Sequence, residues 1–377
     1  MDIKKILIAP DSFKGTISSP EICRIIGKKI KDLIPEAEIV AIPIADGGEG
    51  TADCFLVAKE GKRVPIKVKG PMFEEMDAWY ALINDGRTAI VELAVCAGLP
   101  LVGDKKNPDL TTTYGVGQMI LHAAGSGAGE ILIALGGSCT NDGGCGCAAA
   151  LGVAFFNKNG EKFVPTGGTL SEIESIDTSG IDSRLKNVRL RAMCDVDNPL
   201  HGKNGAAYVF APQKGANKEM VVLLDKGLKN LAEKIKTFVG INIETTPGAG
   251  AAGGIGGGLS AFFNCSLESG IQIILDGIGF EEVASGCDLI LTGEGKIDSQ
   301  SLRGKAASGV ASRAKALGIP VIAIVGDVGF GYEAFYEKGV TAIVSTNRVA
   351  VPFDVAKERA RSDLADTVED LIRVLKL

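Results

Sequence analysis

Short apolar runs alternate along the chain with segments whose apolar residues repeat at helical spacing. Residues 5–10 and 39–44 are such runs, bounded by Gly, Asp and Pro, as expected of parallel strands covered on both faces. Between them, Ile22, Ile25, Ile26, Ile30 and Leu33 fall on a helical stripe that Ser18 or Ser19 can cap and Pro35 stops. Together these predict a strand–helix–strand unit. The last third repeats the style, with strands over 288–292, 321–325 and 341–345, helices around 305–317 and 332–338, and a closing helix at about 355–375. The middle differs. Residues 77–83, then Asn84-Asp85-Gly86, then 88–93 read as a hairpin, because Asp-Gly supplies the positive φ angles of a tight turn. Such pairing does not belong in a doubly wound sheet. The expected class is therefore α/β: a Rossmann-like parallel-sheet domain formed by both chain ends, 1–65 and 285–377, plus an inserted mixed α/β domain, 66–284, with the active site in the cleft between them. A split into two consecutive domains near residue 180 is the competing organisation, and there is no internal repeat.

Composition narrows the function classes. Apolar residues are 46% and charged residues 23% of 377, ordinary globular values that exclude disorder, coiled coil and collagen. The net charge of −6 comes without a basic stripe, so a small-molecule partner is expected and nucleic acid is not. The 50 glycines are roughly twice ordinary usage and gather in a few runs. With 5% aromatics and one Trp, the core falls to Ile, Leu, Val and Ala, which suits α/β. Nine cysteines form no C-x-x-C pair, and the N-terminus runs directly into a strand pattern, so reduced thiols and a cytoplasmic location are expected. Residues 245–267 have the length of a membrane span but contain Pro247 and seven glycines, so a buried glycine loop followed by a helix is expected, and no membrane partner.

The polar residues that follow the apolar runs carry the chemistry. Asp11-Ser12-Phe13-Lys14-Gly15, Asp46-Gly47-Gly48-Glu49-Gly50, the turn from Gly136 to Gly144, Cys194-Asp195-Val196-Asp197 and Thr292-Gly293-Glu294-Gly295-Lys296-Ile297-Asp298 each follow one. Ligands of open α/β sheets sit beyond the carboxyl ends of strands. Turn chemistry alone explains the Gly and Asp of these clusters but gives no reason for Lys14 and Lys296. Gly136, Gly137, Ser138, Thr140 and Asn141 are the phosphate-loop candidate, with a tightly packed strand–helix turn as the alternative. Gly248, Gly250 and Gly253 match G-x-G-x-x-G, with Glu268 at the spacing of a ribose-binding acid; a nicotinamide-dependent hydroxy-acid dehydrogenase, a nucleotide cradle and close glycine packing are the readings. No G-x-x-x-x-G-K-[ST] occurs. Asp195 and Asp197 stand at alternate positions, where they could hold Mg²⁺ or form a solvated turn before Pro199. Cys139, Cys145 and Cys147 fit no common zinc spacing, and two histidines leave little room for a His-based hydrolase.

Taken in order, residues 9–15, 45–51, 135–144, 194–200, 212–216, 247–254 and 292–298 resemble the signature blocks of the bacterial class I glycerate kinase family. The resemblance implies ATP-dependent phosphorylation of D-glycerate, usually at the 2-hydroxyl, with Mg²⁺, on a two-domain α/β architecture. It departs from the usual pattern at Cys139, Cys145, Cys147, His201 and Arg303. On this footing Asp46 is the expected base, Lys14 a cation near the phosphoryl group or the glycerate carboxylate, and Lys296 with Asp298 supporting catalytic groups. The two glycine turns and Glu294 are the expected ATP contacts, and Asp195 and Asp197 the expected Mg²⁺ ligands. Asp142 could exchange roles with these. A non-catalytic sugar-acid binder is the rival from another class, and a homodimer is an open assembly.

Overall fold

The computed structural model describes residues 3–45, 47–299 and 305–376. The chain packs as two units, Met1–Asp46 with Ile271–Leu377 and Gly47–Gly270. Its strands are β1 (Lys5–Pro10), β2 (Glu38–Ala41), β3 (Gly61–Lys69), β4 (Glu75–Ile83), β5 (Thr88–Glu92), β6 (Glu130–Ala134), β7 (Ala154–Phe156) and β8 (Lys162–Phe163). They continue as β9 (Ser175–Asp177), β10 (Arg189–Met193), β11 (Ser266–Glu268), β12 (Leu289–Gly293), β13 (Lys296–Ile297), β14 (Val321–Val325), β15 (Asp327–Val328) and β16 (Val340–Ser345).

The first unit holds the parallel sheet expected from the two chain ends, in the order β16-β14-β12-β1-β2. Numbered in chain order within this sheet, the strands run 2-1-3-4-5 from the β2 edge, the doubly wound order whose switch point lies between the first and third strands, here β1 and β12. Ile6 pairs with Leu289 on one side and with Ile39 on the other. Ile6, Ile8, Leu289, Leu291, Ile322 and Ile324 share a core with Ile22, Ile26 and Ile30 of helix Ser19–Leu33 and with Leu364, Val368 and Ile372 of helix Phe353–Leu375. Leu7, Ile290 and Ala323, which alternate with them, are buried too, so both faces are covered and the strands read as unbroken apolar runs.

The second unit holds a mixed sheet, β11-β10-β6-β5-β4-β3. The expected hairpin is β4–β5, turning at Asn84, Asp85 and Gly86 with φ of 53°, 55° and 80°. From β5 the pairing becomes parallel through β6, β10 and β11. Strand β3 is an antiparallel edge strand that the apolar pattern did not announce, since its first residues are exposed and Pro65 interrupts it, which only an edge tolerates. The glycine-rich stretch forms helix Ala251–Phe263, broken near its start by left-handed Ala252, Gly253 and Gly254. Among the described residues no helix is long and apolar enough to cross a membrane.

Candidate active site

In the first unit the residues that follow the strands surround a cavity of about 530 Å³. β1 delivers Asp11, whose N–H donates to the Gly293 carbonyl (2.8 Å) and whose carboxylate accepts from the Ser12 N–H (2.6 Å). The next residues close a tight turn, with Phe13 N–H donating to the Ile17 carbonyl (2.9 Å) and Ile17 N–H to that of Phe13 (3.1 Å). That turn carries Lys14 at its exposed tip. β12 delivers Glu294, which is buried, with its carboxylate 3.3 Å from Lys305 Nζ. Lys296 Nζ lies 3.7 Å from the Asp327 carboxylate, and β13 and β15 bind the two segments together. The cavity thus unites Lys14, Glu294 and Lys296 from the sequence-derived set and adds Asp11, Ser12 and Lys305. Asp298 lies just past β13, next to Gly329, where a Cβ would come within 2.9 Å of its own.

In the second unit the two glycine turns interlock. Gly143 N–H donates to the Gly253 carbonyl (3.0 Å), and a Cβ on Gly253 would stand 2.0 Å from the Thr140 carbonyl oxygen. The 194–199 segment joins them: Gly250 N–H donates to the Asn198 carbonyl (3.0 Å), and a Cβ on Gly248 would meet Cys194 Sγ at 2.7 Å. Gly136 N–H donates to the Gly47 carbonyl (3.0 Å), so the start of the 47–50 loop adjoins the same turn. Gly136, Gly137, Ser138, Thr140, Asn141, Gly248, Gly250 and Gly253 are therefore neighbours. Of the first turn only Gly137 is exposed, while Ser138, Thr140 and Asn141 are buried. Thr140 Oγ1 and both polar atoms of the Asn141 side chain are buried without a hydrogen-bond partner in the protein.

Asp195 lies beyond the end of β10, where its Oδ1 accepts from Ser269 Oγ (2.9 Å) and Gly270 N–H (3.0 Å). Asp197 is exposed two residues on. Among the described residues no group of three or more His, Cys, Asp or Glu is arranged to hold a metal. Mg²⁺ bound with a nucleotide takes one or two carboxylates and otherwise phosphate oxygens and water, so the donor chemistry of this aspartate pair fits it. Asp46 and Arg303 lie outside the described residues.

Two buried polar residues, Glu92 and Lys214, escaped the sequence reading of the site, and a third, Asp142, was read there as able to exchange roles with the catalytic groups. Glu92 ends β5 and accepts from Ala52 N–H (2.6 Å) and Gly50 N–H (3.4 Å), anchoring the loop that opens helix Thr51–Ala58; burial pushes its carboxyl up to about 7. Its position as the last residue of a strand was the available signal. Lys214 Nζ donates to Ser138 Oγ (2.7 Å) and the Thr140 carbonyl (2.6 Å), and burial lowers its ammonium to about 8. Asp142 is wholly buried and accepts from Thr113 N–H and Oγ1 (2.8 Å each) and from Gly144 and Gly146 N–H (3.2 Å each). Burial raises its pKa. With those four donors it is a strut of the turn.

Glu268 is held by Arg191 through Nε (3.0 Å) and Nη2 (2.6 Å), an ion pair that lowers its carboxyl to about 2 and removes the ribose acid that the dehydrogenase reading needs. Cys139, Cys145 and Cys147 are buried, and burial raises all three thiols.

The chain matches the family model described as Glycerate kinase family over residues 6–376. It is 46% identical over 374 residues to a protein of Bacillus cereus (strain ATCC 10987 / NRS 248) named glycerate kinase, covering 99% of this chain and 98% of that one. It is 44% identical over 342 residues to a protein of Escherichia coli (strain K12) named glycerate 2-kinase, covering 90% of each. A crystal structure of a candidate glycerate kinase 2 from Salmonella typhimurium LT2 superposes with a TM-score of 0.86 at 38% identity, covering 100% of this chain and 99% of that one.

Proposed function

Since the chain belongs to the glycerate kinase family, phosphotransferases acting on an alcohol group, we propose that it transfers the γ-phosphoryl group of ATP to the 2-hydroxyl of D-glycerate, with Mg²⁺, giving 2-phosphoglycerate and ADP. The identity to a protein named glycerate 2-kinase favours the 2-hydroxyl. Within the structure, the supporting observation is the placing of Lys14, Glu294 and Lys296 around one cavity at the carboxyl ends of parallel strands.

Phosphoryl transfer needs in-line positioning, neutralisation of charge and a group that takes the acceptor proton. Asp46 takes the proton of the glycerate hydroxyl, whose oxygen attacks the γ-phosphorus as the bond to the β-bridging oxygen breaks. Lys14 offsets charge on the phosphoryl group or on the glycerate carboxylate. Lys296 and Asp298 support it, and Glu294 with the two glycine turns contacts ATP. Bound Mg²⁺ would supply charge neutralisation of the phosphates, held by Asp195, which Ser269 and Gly270 orient, and by Asp197.

An ADP-release assay with both glycerate enantiomers, hydroxypyruvate and tartronate, followed by phosphorus NMR of the product, tests this reading. ADP release dependent on D-glycerate and a 2-phosphate resonance are expected; release without an acid, or a 3-phosphate product, would overturn the respective part. Asp46→Asn should abolish turnover, and near-parental kcat with unchanged pH dependence would remove the base assignment.

A further inference from the structure

The cavity of the first unit is larger than a three-carbon acid needs and has a wall that such an acid cannot use. Its volume, about 530 Å³, falls among sites that hold cofactor-sized molecules, about 300–1,000 Å³. It lies past the carboxyl ends of four neighbouring parallel strands. Asp11 to Thr16 follow β1, Glu294 to Lys296 follow β12, Gly326 and Asp327 follow β14, and Thr346 and Asn347 follow β16. β1 and β12 flank the switch point of the 2-1-3-4-5 order, where successive connections leave for opposite faces of the sheet and a crevice opens.

The lining is two-sided in its chemistry. Phe353, Ala356, Lys357 and Ala360 stand at i, i+3, i+4 and i+7 of helix Phe353–Leu375 and so share one face. With Val351 they offer an aromatic ring beside two alanines whose small side chains leave a slot. A purine has a flat apolar face to set there; glycerate has none. Lys14, Lys296, Lys305 and Lys357 bring cations to the lining beside the carboxylates of Asp11, Glu294, Asp327 and Asp363, and Thr346 and Asn347 bring a hydroxyl and an amide able to meet the edge of a base.

We infer that this cavity seats the nucleoside end of ATP, with the base against Phe353, Ala356 and Ala360 and the phosphates directed toward Lys14 and Lys305. The identity of the nucleotide rests on the glycerate kinase reading. What the geometry adds is which residues hold the base and so set nucleotide affinity.

The test is a fluorescence titration of the full-length protein with a ribose-labelled N-methylanthraniloyl ADP and Mg²⁺, without glycerate. It compares the parent with Phe353→Ala, which removes an exposed ring, and with Ala360→Phe, which fills the slot. Each variant should bind about tenfold more weakly, the size of one lost base–aromatic contact, and KM for ATP should rise in parallel while KM for glycerate stays within about twofold. Circular dichroism melts check the fold, and if Ala360→Phe fails to fold then Phe353→Ala decides alone. Unchanged nucleotide affinity in Phe353→Ala overturns the inference, and a raised KM for glycerate in its place assigns the cavity to the acid. The two readings fail separately. Phe353-dependent nucleotide binding without ADP release on glycerate sinks the kinase reading only, and turnover with Phe353-independent nucleotide affinity sinks this one only.

Discussion

Glu92 carries a buried carboxyl that both anchors a loop and titrates near neutrality. Its pKa is raised from 4.5 to about 7 by burial, so between those values the folded chain holds a proton that the unfolded chain has released. Stability from this group is therefore full below about 4.5 and is lost as pH rises through about 7. At about 1.4 kcal/mol per pH unit, the window is worth roughly 3 kcal/mol. Glu92→Gln removes that dependence, so the stability of the variant relative to the parent should rise between about pH 5 and 7.5, as urea unfolding at the two values will show. Lys214→Met should cost about 1–3 kcal/mol in the same assay, because the buried Thr140 carbonyl and Ser138 hydroxyl lose their donor. That Lys14, Glu294 and Lys296 line one cavity was legible because each follows an apolar run. Lys214 was not, since it sits in a one-turn 3₁₀ helix, Pro212–Lys214, far from any strand end, and only the fold brings it under Ser138.

Elements were legible where burial is two-sided or helical and obscure where it is not. β1, β12 and β14 stand out because nearly every residue is covered. β3 does not, because an edge strand can be exposed over most of its length. The glycine-rich stretch shows the limit of motif reading, since G-x-G-x-x-G is satisfied while Gly253 and Gly254, at φ of 76° and 95°, make room for the backbone of the facing turn. Gly253→Ala combines left-handed strain with a clash against Thr140 and should destabilise by more than about 3 kcal/mol. Gly50→Ala, at φ of 88° but with nothing within 4 Å of the added carbon, should cost only the strain, about 1 kcal/mol. Parallel urea titrations of the two variants will separate strain from close approach, and equal costs would show that the interlocked turns do not constrain each other.

At the scale of the molecule, the first unit is assembled from both ends of the chain, with helices Ser19–Leu33 and Phe353–Leu375 in one core. The α/β class with end-completed parallel sheet was legible from the recurrence of strand–helix spacing on either side of a hairpin-bearing middle. The strand order was not, because pairing partners hundreds of residues apart leave no mark in local pattern. Leu364 is fully buried in the shared core, and Leu364→Ala should cost about 2–5 kcal/mol, measured by urea unfolding followed through far-ultraviolet circular dichroism. Deleting Phe353–Leu375 should leave the first unit unfolded, with β1 and β12 amides losing protection from hydrogen exchange while β5 and β6 keep theirs. β1 lies between β2 and β12, and this has a consequence for biosynthesis. On the ribosome the first strand emerges with only one of its neighbours, and Leu289 follows 283 positions after Ile6. At about 5–20 residues per second that wait lasts tens of seconds, during which the greasy amino-terminal segment of the nascent chain must be shielded by chaperones or by the translation machinery itself.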